Sequence, residues 1–167
     1  SATSIPTGNY EVSETALNGW TLTGASCTGT TAVKNGSSLT FTASANANIV
    51  CTFTNTRDKG TIKVIKNTVG EDGTFSFTTN TGLGNFNLAT VGGTASTDAV
   101  DANTGSYTIS ESAKEGWTLS AVSCTGGSAD RQGNSVSVEV NKGANVVCTF
   151  TNTRDTGKFK VIKKTSG

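Results

Sequence analysis

From Gly60 to Asp155 apolar and polar residues alternate in short runs: TIKVIKN, TFSFTT, NFNLATV, GSYTISES, WTLSAVSC, SVSVEV and NVVCTFTNT. A period of two marks a strand with one face on the core and one in water. Asp72-Gly73, Gly82 to Gly84, Gly92-Gly93, Glu115-Gly116 and Gly126-Gly127 punctuate these runs as turns. About seven short strands in roughly a hundred residues predict an all-β chain built as an antiparallel, Ig-like β-sandwich.

The alternation also repeats at long range. Aligning Thr7 with Thr104 keeps the rest of the chain in register without a gap. Tyr10/Tyr107, Glu14/Glu111, Trp20/Trp117, Cys27/Cys124, Asn55/Asn152 and Lys66/Lys163 each differ by 97. A fixed period of this kind is the mark of a tandem array. The array is out of phase with the chain. Residues 1–58 read as a β-sandwich repeat lacking its opening strands, 59–155 as a complete repeat, and 156–167 as the opening strand of a following one. About five residues are expected between the last strand of one repeat and the first of the next. A linker that short predicts a rod of neighbouring copies, head to tail.

Parity then exposes an anomaly. Three apolar rows in the complete repeat each end in a polar residue: Ile62, Val64 and Lys66; Tyr107, Ile109 and Glu111; Cys148, Phe150 and Asn152. The incomplete repeat offers Tyr10, Val12 and Glu14, then Cys51, Phe53 and Asn55, and the last segment offers Phe159, Val161 and Lys163. Lys63 and Lys160 lie on the opposite parity and are expected in water. A buried lysine and glutamate are costly unless paired or neutral, and desolvation drives both toward neutrality. A neutral amine is a nucleophile, a carboxamide is an acyl donor, and a protonated carboxyl can shuttle protons between them. The expected product is a Lys66–Asn152 isopeptide bond promoted by Glu111. Glu14 and Asn55 await a lysine from outside residues 1–58, and Lys163 awaits a partner pair. The competing reading has Lys66 snorkelling from a strand end, Glu111 pairing with it in a salt bridge, and Asn152 capping a turn.

A strand G-x-(apolar)-x-(apolar)-x-K, then Y-x-(apolar)-x-E, then a closing T-F-T-N-T resembles the Cna B-type family, also called SpaA-like or prealbumin-like domains. The resemblance covers residues 60–155 and the fragments on either side. It implies a repeat unit of a bacterial surface pilus, filament or adhesin stalk, with Lys66, Glu111 and Asn152 as the isopeptide triad. The chain departs from the family pattern in its paired cysteines and in SAKEGW, which stands where a proline-rich segment is usual.

Cys27 and Cys51 are 24 residues apart, as are Cys124 and Cys148. An even count at equal spacing predicts one disulfide per repeat and an extracellular or cell-surface setting. Zinc is the rival, without CxxC spacing or histidine to support it.

Composition narrows the remaining choices. The chain has 167 residues, net charge +1, 34% hydrophobic and 15% charged residues, and neither histidine nor methionine. Near-neutrality argues against nucleic-acid binding, and no run is apolar enough to span a membrane as a helix. Without histidine, turnover catalysis is not expected beyond the single cross-linking event, and no cofactor or metal is expected. GEDGT and Asp98/Asp101 are better read as turn chemistry than as calcium ligands. Trp20 and Trp117 are better read as packing than as sugar platforms, and Asn35-Gly-Ser as a chance glycosylation sequon. The alternative function is an adhesin that grips glycan, ice or host protein through Thr-rich faces. Strand exchange between adjacent subunits, with Lys163 reaching Asn55, is a further expectation.

Overall fold

Thr, Val, Ile and Phe dominate the alternating runs, and glycine or asparagine supplies the turns between them, so short strands form in preference to helices. The computed structural model describes residues 3–80 and 84–167, and the predicted turn at Gly82 lies outside them. The chain divides into two compact units, Ser1–Asp58 and Lys59–Gly167.

The first unit contains β1 (Gly8–Ser13), β2 (Trp20–Thr28), β3 (Ala32–Asn35), β4 (Ser38–Ala43) and β5 (Val50–Arg57). They form one sheet of order β1-β4-β3 and a two-stranded ladder β2-β5. Leu39 and Ala43 are its buried hydrophobic residues.

The second unit contains β6 (Lys59–Val69), β7 (Thr74–Thr79), β8 (Phe86–Ala89), β9 (Thr94–Ser96), β10 (Val100–Asn103), β11 (Gly105–Glu111), β12 (Trp117–Thr125), β13 (Ala129–Gln132), β14 (Ser135–Val140) and β15 (Asn145–Arg154). One sheet has the order β10-β6-β15-β12, with β9 also on β6, and the other has the order β13-β14-β11-β7-β8. Between the sheets lies a core built from Ile62, Val64, Phe75, Phe77, Ile109 and Phe150 with their neighbours. Phe77 meets Phe150 edge-on at 5.2 Å. Fully burying a side chain of this size contributes about 1.5–3 kcal/mol.

All seven strands that the alternation predicts are present. Three more, β9, β10 and β13, are short edge strands of three or four residues. Their sequences (TAS, VDAN, ADRQ) are too brief and too polar to register as alternating runs. A single residue, Asp58, separates β5 from β6, fewer than the five expected, because both strands extend further than their apolar cores.

One pairing departs from the antiparallel expectation. β6 and β15, the first and last strands of the second unit, lie side by side in parallel, with Phe150 opposite Lys66 and Asn152 opposite Thr68. Parallel neighbours need a long crossover, and here the crossover is the rest of the unit. Gly60 makes the start of β6 possible. A Cβ there would stand 2.5 Å from the Ala144 carbonyl oxygen, whose acceptor is taken by the Thr61 amide at 2.8 Å. Residues 155–167 form no strand, and Phe159 and Val161 are 92% and 74% exposed.

Candidate functional site: a lysine, a glutamate and an asparagine in the core

β6 carries its even-numbered residues inward, so Ile62 and Val64 are followed by Lys66, which has no solvent exposure. β15 does the same with Cys148, Phe150 and Asn152. Because the two strands run parallel with Lys66 opposite Phe150, Asn152 is the next inward residue along β15. A lysine leaning along the strand direction reaches it. Glu111 ends β11 in the facing sheet and closes the group from across the core. Lys66, Glu111 and Asn152 are 0%, 3% and 2% exposed.

The contacts form a closed circuit. Lys66 Nζ donates to Asn152 Oδ1 at 2.8 Å, and also to the carbonyls of Asn67 (2.9 Å) and Phe150 (3.2 Å). Asn152 Nδ2 donates to Glu111 Oε1 at 2.6 Å. Glu111 Oε2 lies 3.5 Å from Lys66 Nζ. The amide's orientation follows from its neighbours: its NH2 group faces an acceptor and its carbonyl a donor. The Phe75 ring lies beneath the amine, 4.3 Å from Nζ to the ring centre.

Burial sets the electrostatics. Desolvation pushes the Lys66 amine below the ordinary lysine range, and the nearby Glu111 charge only partly restores it. Desolvation likewise pushes the Glu111 carboxyl above the ordinary carboxylate range, against the pull of Lys66 and the Asn152 hydrogen bond. Both shifts favour passing a proton from Nζ to Oε2, which leaves an amine and a carboxylic acid.

The first unit holds two of the three groups. Asn55 Nδ2 donates to Glu14 Oε1 at 2.5 Å, the counterpart of the Asn152–Glu111 bond. Lys163, one period beyond Lys66, is exposed and outside any strand. The disulfides join Cys27 to Cys51 and Cys124 to Cys148. Each bridges residues directly opposite on the last strand of its unit and that strand's antiparallel neighbour.

Other residues singled out in the sequence have defined places in the structure. Asp72 accepts the amides of Gly92 and Gly93 at 2.9 and 2.7 Å, which holds its carboxyl below the usual range. Asp101 lies on β10 and pairs with Lys59 at 3.4 Å. Trp117 packs edge-on against Phe75 at 5.3 Å beneath Arg154. Asn35 ends β3 at the Gly36 turn. Sequence reasoning missed Phe75 as the floor beneath the amine, although its inward parity in TFSFTT was the available signal. It also missed Thr90, buried at 5% exposure, whose hydroxyl accepts the Gly73 amide at 2.9 Å.

Two stretches, residues 2–57 and 62–154, match the family model of the SpaA prealbumin-like fold domain. No curated protein sequence gives a significant match. Among solved structures, the chain is similar to the major pilin protein (T-13) from Streptococcus pyogenes serotype GAS131465. That similarity has 16% identity and a TM-score of 0.47, covering 92% of this chain and 69% of that one. A variant of the major pilin from the same species matches at 16% identity and a TM-score of 0.41, over 92% and 73% of the two chains. The two family-model matches together span most of the sequence: the chain belongs to the SpaA prealbumin-like fold domain family.

Proposed function

We propose that residues 59–155 are a self-cross-linking structural module of an extracellular filament, pilus or adhesin stalk. The observation that carries this reading is the meeting of Lys66, Glu111 and Asn152 inside an otherwise apolar core. The step balances without a cofactor. Glu111 takes a proton from Nζ, and the freed lone pair attacks Asn152 Cγ. The carboxyl returns the proton to the amide nitrogen, which leaves as ammonia while Nζ gives up a second proton to the regenerated Glu111 carboxylate. A fixed amine and amide in a dry site gain the large effective concentration of an intramolecular reaction.

Topology gives the bond its purpose. Tension along a tandem chain enters the unit at the start of β6 and leaves at the end of β15. Those two strands are parallel neighbours, so pulling loads their ladder in shear. A Lys66–Asn152 bond ties them directly, and force bypasses the strands between them. The disulfides fit an oxidising compartment outside the cytoplasm.

Intact mass under reducing, denaturing conditions tests the chemistry. The chain should be lighter than its sequence by one ammonia, and Lys66→Met should restore the full mass. A wild-type chain at full mass after prolonged incubation refutes the cross-link.

A further inference from the structure

We infer that Arg154 is a positioning residue for the cross-linking step: seated on Trp117 and bonded to the Gly116 carbonyl, it fixes the end of β15 and so aligns the Asn152 amide with the Lys66 amine. The inference rests on the Lys66–Asn152 reaction proposed above and names the residue that holds its two partners in place.

Asn152 occupies a weakly held stretch of strand. β15 ends two residues later, at Arg154. On the other side the ladder to β12 shifts register, with Asn152 opposite Leu119 and Thr151 opposite Ala121, so Ser120 is an extra residue. A bulge interrupts regular ladder bonding, and the ends of elements open first. The reaction tolerates little of that freedom, because a misplacement of about 1 Å can cost about 100-fold in rate. Something beyond the ladder has to hold the amide.

Arg154 meets that need. It follows Asn152 on the inward parity of β15, and its Nη1 donates to the Gly116 carbonyl at 2.8 Å. The Asp155 amide donates to the same oxygen at 3.0 Å, and Asp155 Oδ1 accepts the Thr118 hydroxyl at 2.7 Å. The guanidinium carbon lies 5.5 Å from the centre of the Trp117 ring, within cation–π reach. Nε pairs with Glu71 Oε2 at 3.2 Å, a contact too exposed to contribute much. Neighbouring glycines leave the room required. A Cβ at Gly116 would collide with Nη1, and one at Gly70 would stand 2.9 Å from Arg154 Cβ.

The same residue reaches the amine. Trp117 packs edge-on against Phe75 at 5.3 Å, and Phe75 lies 4.3 Å beneath Lys66 Nζ. Arg154 therefore steadies the amide through the backbone and the amine through two rings. The arrangement recurs beside the other carboxyl-bonded amide. Arg57 lies 5.5 Å over Trp20, the Asp58 amide donates to the Gly19 carbonyl at 2.9 Å, and Thr21 donates to Asp58 at 2.6 Å. There too the ladder shifts register next to the amide, between Leu22 and Gly24. Bulge and fastening occur together in both units.

The test follows ammonia loss over time in the 167-residue chain, recovered unfolded, refolded under oxidising conditions and weighed after denaturation and reduction. Circular dichroism on the same samples gives the folded fraction. Arg154→Ala should fold and react about 10–100-fold more slowly than wild type. Arg154→Lys should also be slow, since an ammonium cannot present a planar fork to a ring and a carbonyl together. Guanidinium ion at millimolar, non-denaturing concentration should speed Arg154→Ala, while sodium chloride at the same ionic strength should not. Trp117→Leu added to Arg154→Ala should slow the reaction little further, because both act through one contact. If Arg154→Ala fails to fold, Arg154→Lys, which keeps the stem, decides. A rate that falls only in step with the folded fraction makes Arg154 merely structural and overturns the inference. A full rate in Arg154→Lys overturns it as well, because charge alone would then suffice. Wild-type chain that folds and never loses ammonia instead overturns the cross-linking reading beneath it.

Discussion

Residues 1–58 and 59–155 share the sequence pattern that runs onward from Thr7 in one and Thr104 in the other, and they bury it to different depths. The first unit keeps the carboxyl–amide bond, the disulfide and the ladder between its last strand and that strand's neighbour. It even keeps the irregularity in that ladder, between Leu22 and Gly24 in one unit and between Leu119 and Ala121 in the other. In the second unit β6 to β10 precede that pattern, and the inward side of β5 is half open where that of β15 is sealed. The comparison separates two contributions to the site. The acid and the amide are brought together by the strands that hold them, whether or not a lysine is present. The dryness that perturbs the Lys66 amine and the Glu111 carboxyl comes from the rest of the sandwich. The carboxyl–amide contact thus forms independently of the buried lysine.

The largest expected contrast comes from the two lysines at equivalent positions. Lys66→Ala removes the proposed cross-link and the buried side-chain stem that reaches over Phe75, a loss worth about 2–5 kcal/mol from the second effect alone. Lys163→Ala alters a side chain in water and should leave a dilute chain's unfolding unchanged. Denaturant midpoints for the two variants measure the contrast, and equal midpoints would remove the distinction between a closed and an open unit.

The disulfides should divide the units less sharply. Removing a bridge that closes a loop of this size costs about 3 kcal/mol in the chain-entropy model. Residues 1–58 have few buried hydrophobic side chains, so Cys27→Ala with Cys51→Ala should abolish slow amide exchange throughout them. In the second unit the proposed Lys66–Asn152 bond would enclose the Cys124–Cys148 loop and restrict the unfolded chain. Cys124→Ala with Cys148→Ala should therefore weaken exchange protection there without erasing it. Equal losses of protection in both units would count against the additional covalent tie.

Much of this was readable because a strand's parity is rigid. Once Val64 faces inward, Lys66 must follow it, and the same holds for Phe150 and Asn152. The seven alternating strands and the inward direction of the three polar residues follow from that rule. The pairing partner does not, since alternation fixes a strand's faces and says nothing of its neighbours. Hence the parallel β6–β15 ladder, which places Lys66 beside the closing strand, was invisible in the sequence. Edge strands such as β13, with all four residues exposed, carry no alternation to detect. Thr90 escaped because its burial depends on Gly73 and Thr68, which are distant in sequence.

The smallest effect concerns pH, and it isolates the electrostatics of the closed unit. Asn152→Ala prevents the bond and preserves the unreacted Lys66–Glu111 pair. As an ion pair or as neutral groups, that pair holds one titratable proton, as it does in the unfolded chain between the carboxylate and lysine ranges. Its contribution to stability should therefore be flat across the middle of the pH scale. Adding Lys66→Met leaves only the carboxyl, whose folded pKa is raised by burial. Its contribution is fully present below the ordinary carboxylate range and is lost as pH rises through the raised value. Adding Glu111→Gln instead leaves only the amine, whose folded pKa is lowered. That contribution is complete above the ordinary lysine range and is lost as pH falls through the lowered value. Denaturant midpoints across pH should thus slope downward with pH in one double variant and upward in the other. Two flat profiles would mean that neither group is desolvated, and the case for a neutral amine facing Asn152 would fail with them.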